Sequence, residues 1–393
     1  MHYFEYPITD TTIYEGSVTS SRNTGLDEIL EVNKIVNSTG TTVNVSRILM
    51  KFDYTYISSS IQSGIIPSDA KYYLNLYDAK SEELAVEQTL FAYIVSGSWS
   101  GGTGRLDSNP AISDGASWKY RDNDTTKTAW VGDSTTQGGT WYTSSLGAEY
   151  EVSSSYSLVY ETEDIRMDIT DLVKNHIYSG STYPNYGFII KRENLHTSSS
   201  RFSIYDPTTA TGSAEGNEDQ LGNLQFFSRE THTIFPPKLE VEWDDSSFST
   251  GSLSALSADD LDRLKIYFKN LKPEYKQKSK VKFRFVGREL YPTRGFDTTP
   301  AALTVKYLPS GSRSLGQGTY YSVKDAETED VIIPFSTGSI VSCDSTGNYF
   351  NLNMNGLQAE RKYRFLIKVV SGSGTLDEQI NYYDDGYEFR VVR

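Results

Sequence analysis

The chain has 393 residues, with 51 Asp and Glu against 37 Lys and Arg, a net charge of −14 and an isoelectric point near 4.9. That balance argues against a nucleic-acid-binding surface, which needs clustered Lys and Arg, and fits a protein kept soluble at high density, or one that gathers cations. Its 29 Tyr and 17 Phe, set among abundant Gly, Ser and Thr, suit pleated half-buried surfaces joined by turns, so the expected class is all-β with very little helix. The length allows two or three domains with real cores. The lone Cys343 leaves no internal disulfide. Residues 1–7 (Met-His-Tyr-Phe-Glu-Tyr-Pro) have no basic region followed by an apolar one, and no apolar stretch is long enough to span a membrane.

Residues 1–16 read as an opening strand and turn. Leu26 to Val36 has mixed apolar spacing that fits helix or strand, with strand preferred. Ser46 to Asp53 (Ser-Arg-Ile-Leu-Met-Lys-Phe-Asp) places apolar residues on both faces, as a strand covered on both sides requires. A Ser/Gly/Pro loop is expected after Asp53, then a strong alternating strand over Ala70 to Asp78 and a further strand or pair over Leu84 to Val95.

Residues 96–148 differ in texture. They hold Trp99, Trp118, Trp130 and Trp141 among Gly, Ser, Thr and Asp, a long aromatic-pinned excursion. Loops of that length are usually functional surfaces or self-packing lobes, and both readings stand. On the first, Trp99, Trp118, Tyr120, Trp130, Trp141 and Tyr142 form an interaction surface. Ile165, Met167 and Ile169 then alternate as a strand, and Thr170 or Asp171 can cap a short helix through Ile177. Strands follow over Tyr186 to Arg192, Arg201 to Tyr205, Leu224 to Glu230 and Lys238 to Trp243, with a surface loop at 206–223.

The expected first domain is therefore 1–245, followed by a linker at 246–263 with a short helical turn near 257–260. Residues 264–393 show alternating strands and turn signals at the spacing of an immunoglobulin-like or fibronectin-like sandwich. Gly356 to Tyr363 has the arrangement of a tyrosine corner.

The order of motifs in the first 245 residues resembles the DNRLRE family of jelly-roll domains. The carriers are Arg47 to Asp53, Ala70 to Leu76, the Trp-bearing middle, Asp168 to Val173, Tyr186 to Phe188, Phe227 to Glu230 and Pro237 to Leu239. Gly104 to Asp107, Ala116 to Asp122, Gly138 to Tyr142, Phe188 to Arg192, Thr231 to Val241 and Val286 to Pro292 are similar to virion structural proteins of tailed phages, cyanophages especially, in which a jelly roll precedes an immunoglobulin-like domain. The resemblance implies a non-catalytic particle component, with tail, baseplate or neck preferred and capsid decoration as the alternative. It would be synthesised in a host cytoplasm, not secreted, and carried in the virion. The implied partners are other virion proteins and further copies of the chain, with no nucleic acid and no membrane.

Catalytic patterns are scarce. None of the four His sits in an HExxH motif, and there is no GxSxG or P-loop; His176 reads as a helix-end residue and His232 as a loop residue. Calcium is the best cofactor expectation, with Asp122 and Asp124 as candidate ligands and Asp244–Asp245 as a weaker pair, although neither has the spacing of a defined calcium loop. A glycan-binding or receptor-binding module that stacks host surface sugars on the Trp and Tyr of the excursion is the rival function.

Overall fold

Alternating and β-branched runs become strands almost throughout. The computed structural model describes residues 1–36, 42–80, 88–124, 126–131, 137–143, 150–158, 164–192, 202–203, 222–256, 263–291, 305–310, 317–371 and 379–393. In chain order the strands are β1 (His2–Glu5), β2 (Pro7–Tyr14), β3 (Ile29–Val36), β4 (Thr42–Phe52), β5 (Lys71–Leu76), β6 (Gln88–Ile94), β7 (Tyr120–Asp122), β8 (Thr128–Ala129), β9 (Trp141–Tyr142), β10 (Ser153–Leu158), β11 (Ile165–Asp168), β12 (Phe188–Arg192), β13 (Phe202–Ser203), β14 (Gly222–Phe227) and β15 (Lys238–Glu242). They continue with β16 (Ser254–Ala255), β17 (Leu264–Lys269), β18 (Glu274–Lys276), β19 (Lys280–Glu289), β20 (Lys306–Tyr307), β21 (Gly318–Asp325), β22 (Val331–Ile333), β23 (Ser342–Asp344), β24 (Gly347–Asn353), β25 (Lys362–Ser371), β26 (Gln379–Tyr383) and β27 (Glu388–Val392). Among the described residues the α-helices are α1 (Thr55–Gln62) and α2 (Thr170–Tyr178). The protein is all-β, built of antiparallel sandwiches.

Two compact units form. The N-terminal unit is Glu5–Glu240; the C-terminal unit is Met1–Phe4 together with Val241–Arg393. The boundary falls at 240, and the stretch expected as a linker belongs to the C-terminal unit. There Ser249 N and Cys343 N donate to Cys343 O and Ser247 O, each at 2.9 Å, and β16 pairs with β20. The expected helical turn at 257–260 and most of the loop at 206–223 lie outside the described residues.

In the N-terminal unit one sheet runs β10-β6-β12-β4-β3-β14, with β2 also on β4; in the other, β5 lies between β15 and β11. The chain visits the first sheet with β4, the second with β5 and the first with β6. After the excursion it does so again with β10, β11 and β12, and β12 inserts between β4 and β6. This wrapped order is that of a jelly roll. β4 is its centre: Ser46 to Met50 and Phe52 are fully buried, as the double-faced pattern required. Residues 29–36 settle as a strand because β4 and β14 pair on either side of them.

Two local expectations change. The segment after Asp53 is helix α1, begun where the Asp53 carboxylate accepts the Thr55 amide (2.9 Å) and hydroxyl (2.6 Å). Helix α2 is not capped by Thr170 or Asp171. Asp168 accepts the Thr170 amide at 2.9 Å, and the Thr170 hydroxyl accepts the Tyr72 amide at 3.0 Å, which ties the helix to β5.

In the C-terminal unit β17-β19-β24 face β22-β21-β25, with β26 and β27 both on the far side of β25 and β18 running parallel to β27. This is immunoglobulin-like connectivity. The tyrosine corner is present: Tyr363 donates its hydroxyl to Gln358 O at 3.1 Å. Phe283, Phe350, Phe365 and Phe389 fill the space between the sheets, with Phe365 and Phe389 centroids 4.7 Å apart and Tyr321 stacked on Phe350 at 4.0 Å.

Candidate functional site

The excursion forms a third layer. Alternation along β4 turns Ile48 and Met50 one way and Arg47 and Leu49 the other. On the Arg47 side the sheet is covered by Ala116, Trp118, Trp130 and Trp141, which share one core with Ile13, Val45, Leu49, Tyr93, Val95 and Ile189. Arg47, also fully buried, lies between two of these rings, its guanidinium 4.6 Å from the Trp118 centroid and 5.1 Å from that of Trp141, and donates to Gly138 O. The Lys191 ammonium sits 5.3 Å from the Trp141 ring and donates to Arg192 O at 2.8 Å. Cations buried at such depth are stabilised by ring faces and carbonyls in place of water.

Asn23 holds the start of this layer. It is fully buried and uses every hydrogen-bonding position of its amide. Nδ2 donates to Gly101 O (2.7 Å) and Ala116 O (3.0 Å), while Oδ1 accepts from Gly25 N (3.1 Å) and Gly104 N (2.9 Å). Gly102 has φ +75°, and a Cβ there would stand 2.4 Å from the Asn23 side chain. Further out, Arg121 clasps the β7–β8 hairpin by donating to Ala129 O (3.2 Å) and Ser98 O (2.7 Å). The Asn-Thr-Gly at 23–25, echoed by Gly101, Gly102 and Gly104, was the available sequence signal, but nothing local tied the two segments together.

Burial removes most of the expected interaction surface. Trp118, Trp130, Trp141 and Tyr142 are buried, so their faces are packed and cannot stack an external ligand. Trp130 Nε1 donates to Ser117 O and Trp118 O, both at 3.1 Å; Trp99, partly buried, donates to Tyr186 O at 2.7 Å; Tyr142 donates to Thr182 O at 3.1 Å. Tyr120 is part-exposed in β7, beside Lys127 at 5.6 Å. Of the calcium candidates, Asp122 accepts the Asp124 amide at 3.2 Å, a turn-forming role in the hairpin. Asp244 likewise accepts Ser246 N at 2.8 Å, and Asp245 accepts Asn351 Nδ2 at 3.2 Å. His176 is buried against Tyr54 and Phe188, its Nδ1 3.1 Å from Tyr183 O, and burial pushes its pKa down to about 4.

A cleft of about 360 Å³ opens where the excursion passes β3, lined by Tyr14, Asp27, Glu28, Glu31, Arg105 and Gln225 among others. Sequence reading did not single it out, because its residues come from distant segments. Glu31 is held by three donors: Tyr14 hydroxyl (2.7 Å), Gln225 Nε2 (2.6 Å) and Asn223 Nδ2 (3.1 Å). Asp27 accepts the Leu106 amide at 3.1 Å, yet burial, aided by Asp107, pushes its pKa up to about 6. Burial and the Glu31 carboxylate raise the Tyr14 phenol well above its usual range. The wall is rich in acceptors and in negative charge.

No protein-family model matches the chain, and no curated protein matches it.

Proposed function

We propose that the protein is a non-enzymatic structural component of a tailed-phage particle, placed in the tail, baseplate or neck, that docks on neighbouring virion proteins through the loops of its N-terminal unit. The observation that carries docking over sugar binding is the inward packing of Trp118, Trp130 and Trp141. A glycan-stacking module needs open ring faces, whereas here these rings pack into one core with the sheet beneath them. The motif order of the sequence supports the virion assignment, and the acidic cleft beside Asp27 and Glu31 suits basic groups on a neighbour. On this reading the chain is carried in the particle after synthesis in the host cytoplasm. Mass spectrometry of purified particles tests it: the chain is expected at stoichiometric abundance, and its absence from intact particles rejects the assignment. Capsid decoration, the second placement, is distinguished by finding the chain on tailless heads. Saturable binding on a glycan array, lost in Tyr120→Ala, would favour the receptor-binding reading instead.

A further inference from the structure

Every residue of β15 (Lys-Leu-Glu-Val-Glu) is buried, although its side chains alternate between charged and apolar. Leu239 and Val241 face one side, and Lys238, Glu240 and Glu242 face the other. The charged side of such a strand commonly lies in water. β1 pairs with β15 in the four-stranded sheet β1-β15-β5-β11 and brings His2 beside the two carboxylates. One ligand atom from each of His2, Glu240 and Glu242 lies within 4.8 Å of the other two. The three residues are 0%, 2% and 4% exposed. Among the described residues, no other His, Cys, Asp or Glu side chains form such a group of three. Each carboxylate is held in place. Glu240 Oε2 accepts Arg166 Nε at 2.8 Å and Asn75 Nδ2 at 3.2 Å, both from strands of the same sheet. Glu242 Oε1 accepts Thr337 Oγ1 at 2.7 Å and Gly338 N at 2.9 Å. Bonds of this kind orient the ligands of a metal from outside its coordination shell. Two carboxylates this close repel each other, and burial removes the water that would screen them. A cation between them turns that repulsion into attraction.

We propose that His2, Glu240 and Glu242 bind a divalent transition-metal ion of the zinc class, which staples β1 to β15. The imidazole selects against calcium and magnesium, which take shells of oxygen, and the two carboxylates select against soft ions. Zinc, with bonds near 2.1 Å, holds tetrahedral ligand atoms about 3.4 Å apart, so small side-chain rotations close this group onto the ion. Three protein ligands leave the fourth position to water. The site is separate from the calcium expected at Asp122 and Asp124. It also stands apart from the virion assignment, since it needs only the residues of two paired strands.

The untagged full-length chain, stripped with a chelator and then dialysed against zinc, tests this. Elemental analysis is expected to find about one zinc ion retained per chain, and the thermal transition is expected to rise with zinc concentration. Calcium at the same concentration should leave the transition where it is. Glu242→Gln keeps the shape of the side chain while removing its charge, and should weaken zinc binding by more than about tenfold. Should that variant fail to fold, zinc-edge X-ray absorption of the wild-type chain decides, with a single imidazole among oxygen ligands expected. The proposal is overturned if the wild type retains no zinc, if calcium shifts the transition equally, or if folded Glu242→Gln binds zinc as well as the wild type. A zinc shell with two or more imidazoles overturns it too.

Discussion

The two units spend their aromatic residues differently. The C-terminal unit stacks Phe283, Phe350, Phe365 and Phe389 between its sheets, where rings meet rings. The N-terminal unit packs Trp118, Trp130 and Trp141 outside a sheet, as a cover over the buried cations Arg47 and Lys191. Charge divides along the same line: residues 1–240 contain 17 Lys and Arg against 31 Asp and Glu, and residues 241–393 contain 20 of each. The whole net charge of −14 therefore belongs to the N-terminal part. The field of the molecule is therefore negative over the jelly roll and close to balanced over the second sandwich.

The sharpest way to break this contrast is Trp141→Ala. It removes a fully buried ring and its contacts with Arg47 and Lys191, so the N-terminal unit should lose about 3–5 kcal/mol. The C-terminal transition in chemical denaturation should not move. Asn23→Ala comes next. It strands the amides of Gly25 and Gly104 and the carbonyls of Gly101 and Ala116, at a cost of about 3 kcal/mol, and hydrogen exchange over 100–117 should speed up while β4 stays protected.

The pH response should also separate the units. Burial raises Asp10 to about 7, and burial with Asp107 raises Asp27 to about 6. A carboxyl raised in the fold favours its protonated form, so these contributions are full below pH ~3.8 and are lost as pH climbs towards 6 and 7. His176 works oppositely, its contribution draining as pH falls from ~6.5 towards 4. In the C-terminal unit the Arg284 guanidinium, which donates to Asp344 through two nitrogens at 2.9 and 2.6 Å, holds that carboxyl down. Asp325 is also lowered: burial opposes ionisation, but Arg361 and the Glu327 and Thr328 amides outweigh it. Those contributions are present at neutral pH and vanish as pH drops below ~4. Asp10→Asn should therefore stabilise the N-terminal unit at pH 8 by on the order of 2 kcal/mol and flatten its slope between pH 4 and 7, read by thermal scans across pH. The smallest effect is at the tyrosine corner: Tyr363→Phe should cost the C-terminal unit about 1 kcal/mol and leave the other unchanged.

Much of the fold was legible in the sequence because strand pattern is local. The period of two in β5, β11, β19 and β25, and the double-faced run of β4, needed no partner to be recognised. Tyr363 announced its corner by its place at the start of a strand. What was hidden depends on long-range pairing. Helix α1 has too few apolar residues to show a helical stripe. The segment at 1–4 gives no sign that its partners lie beyond 240, and the acidic cleft draws on residues 14, 27–31, 105–107 and 225. The Trp residues stood out in the sequence as an interaction surface or a self-packing lobe, but composition does not say which way a ring points. The face of β4 that they cover settles it.

Exchange of the indole N–H groups tests that account most directly. Trp130 Nε1, bonded to Ser117 and Trp118 carbonyls, should exchange as slowly as the amides of Leu49 and Met50 in β4, opening only when the N-terminal unit unfolds. If the Trp130 indole exchanges within seconds while β4 stays protected, the excursion is not a structural layer and its rings are available to a ligand.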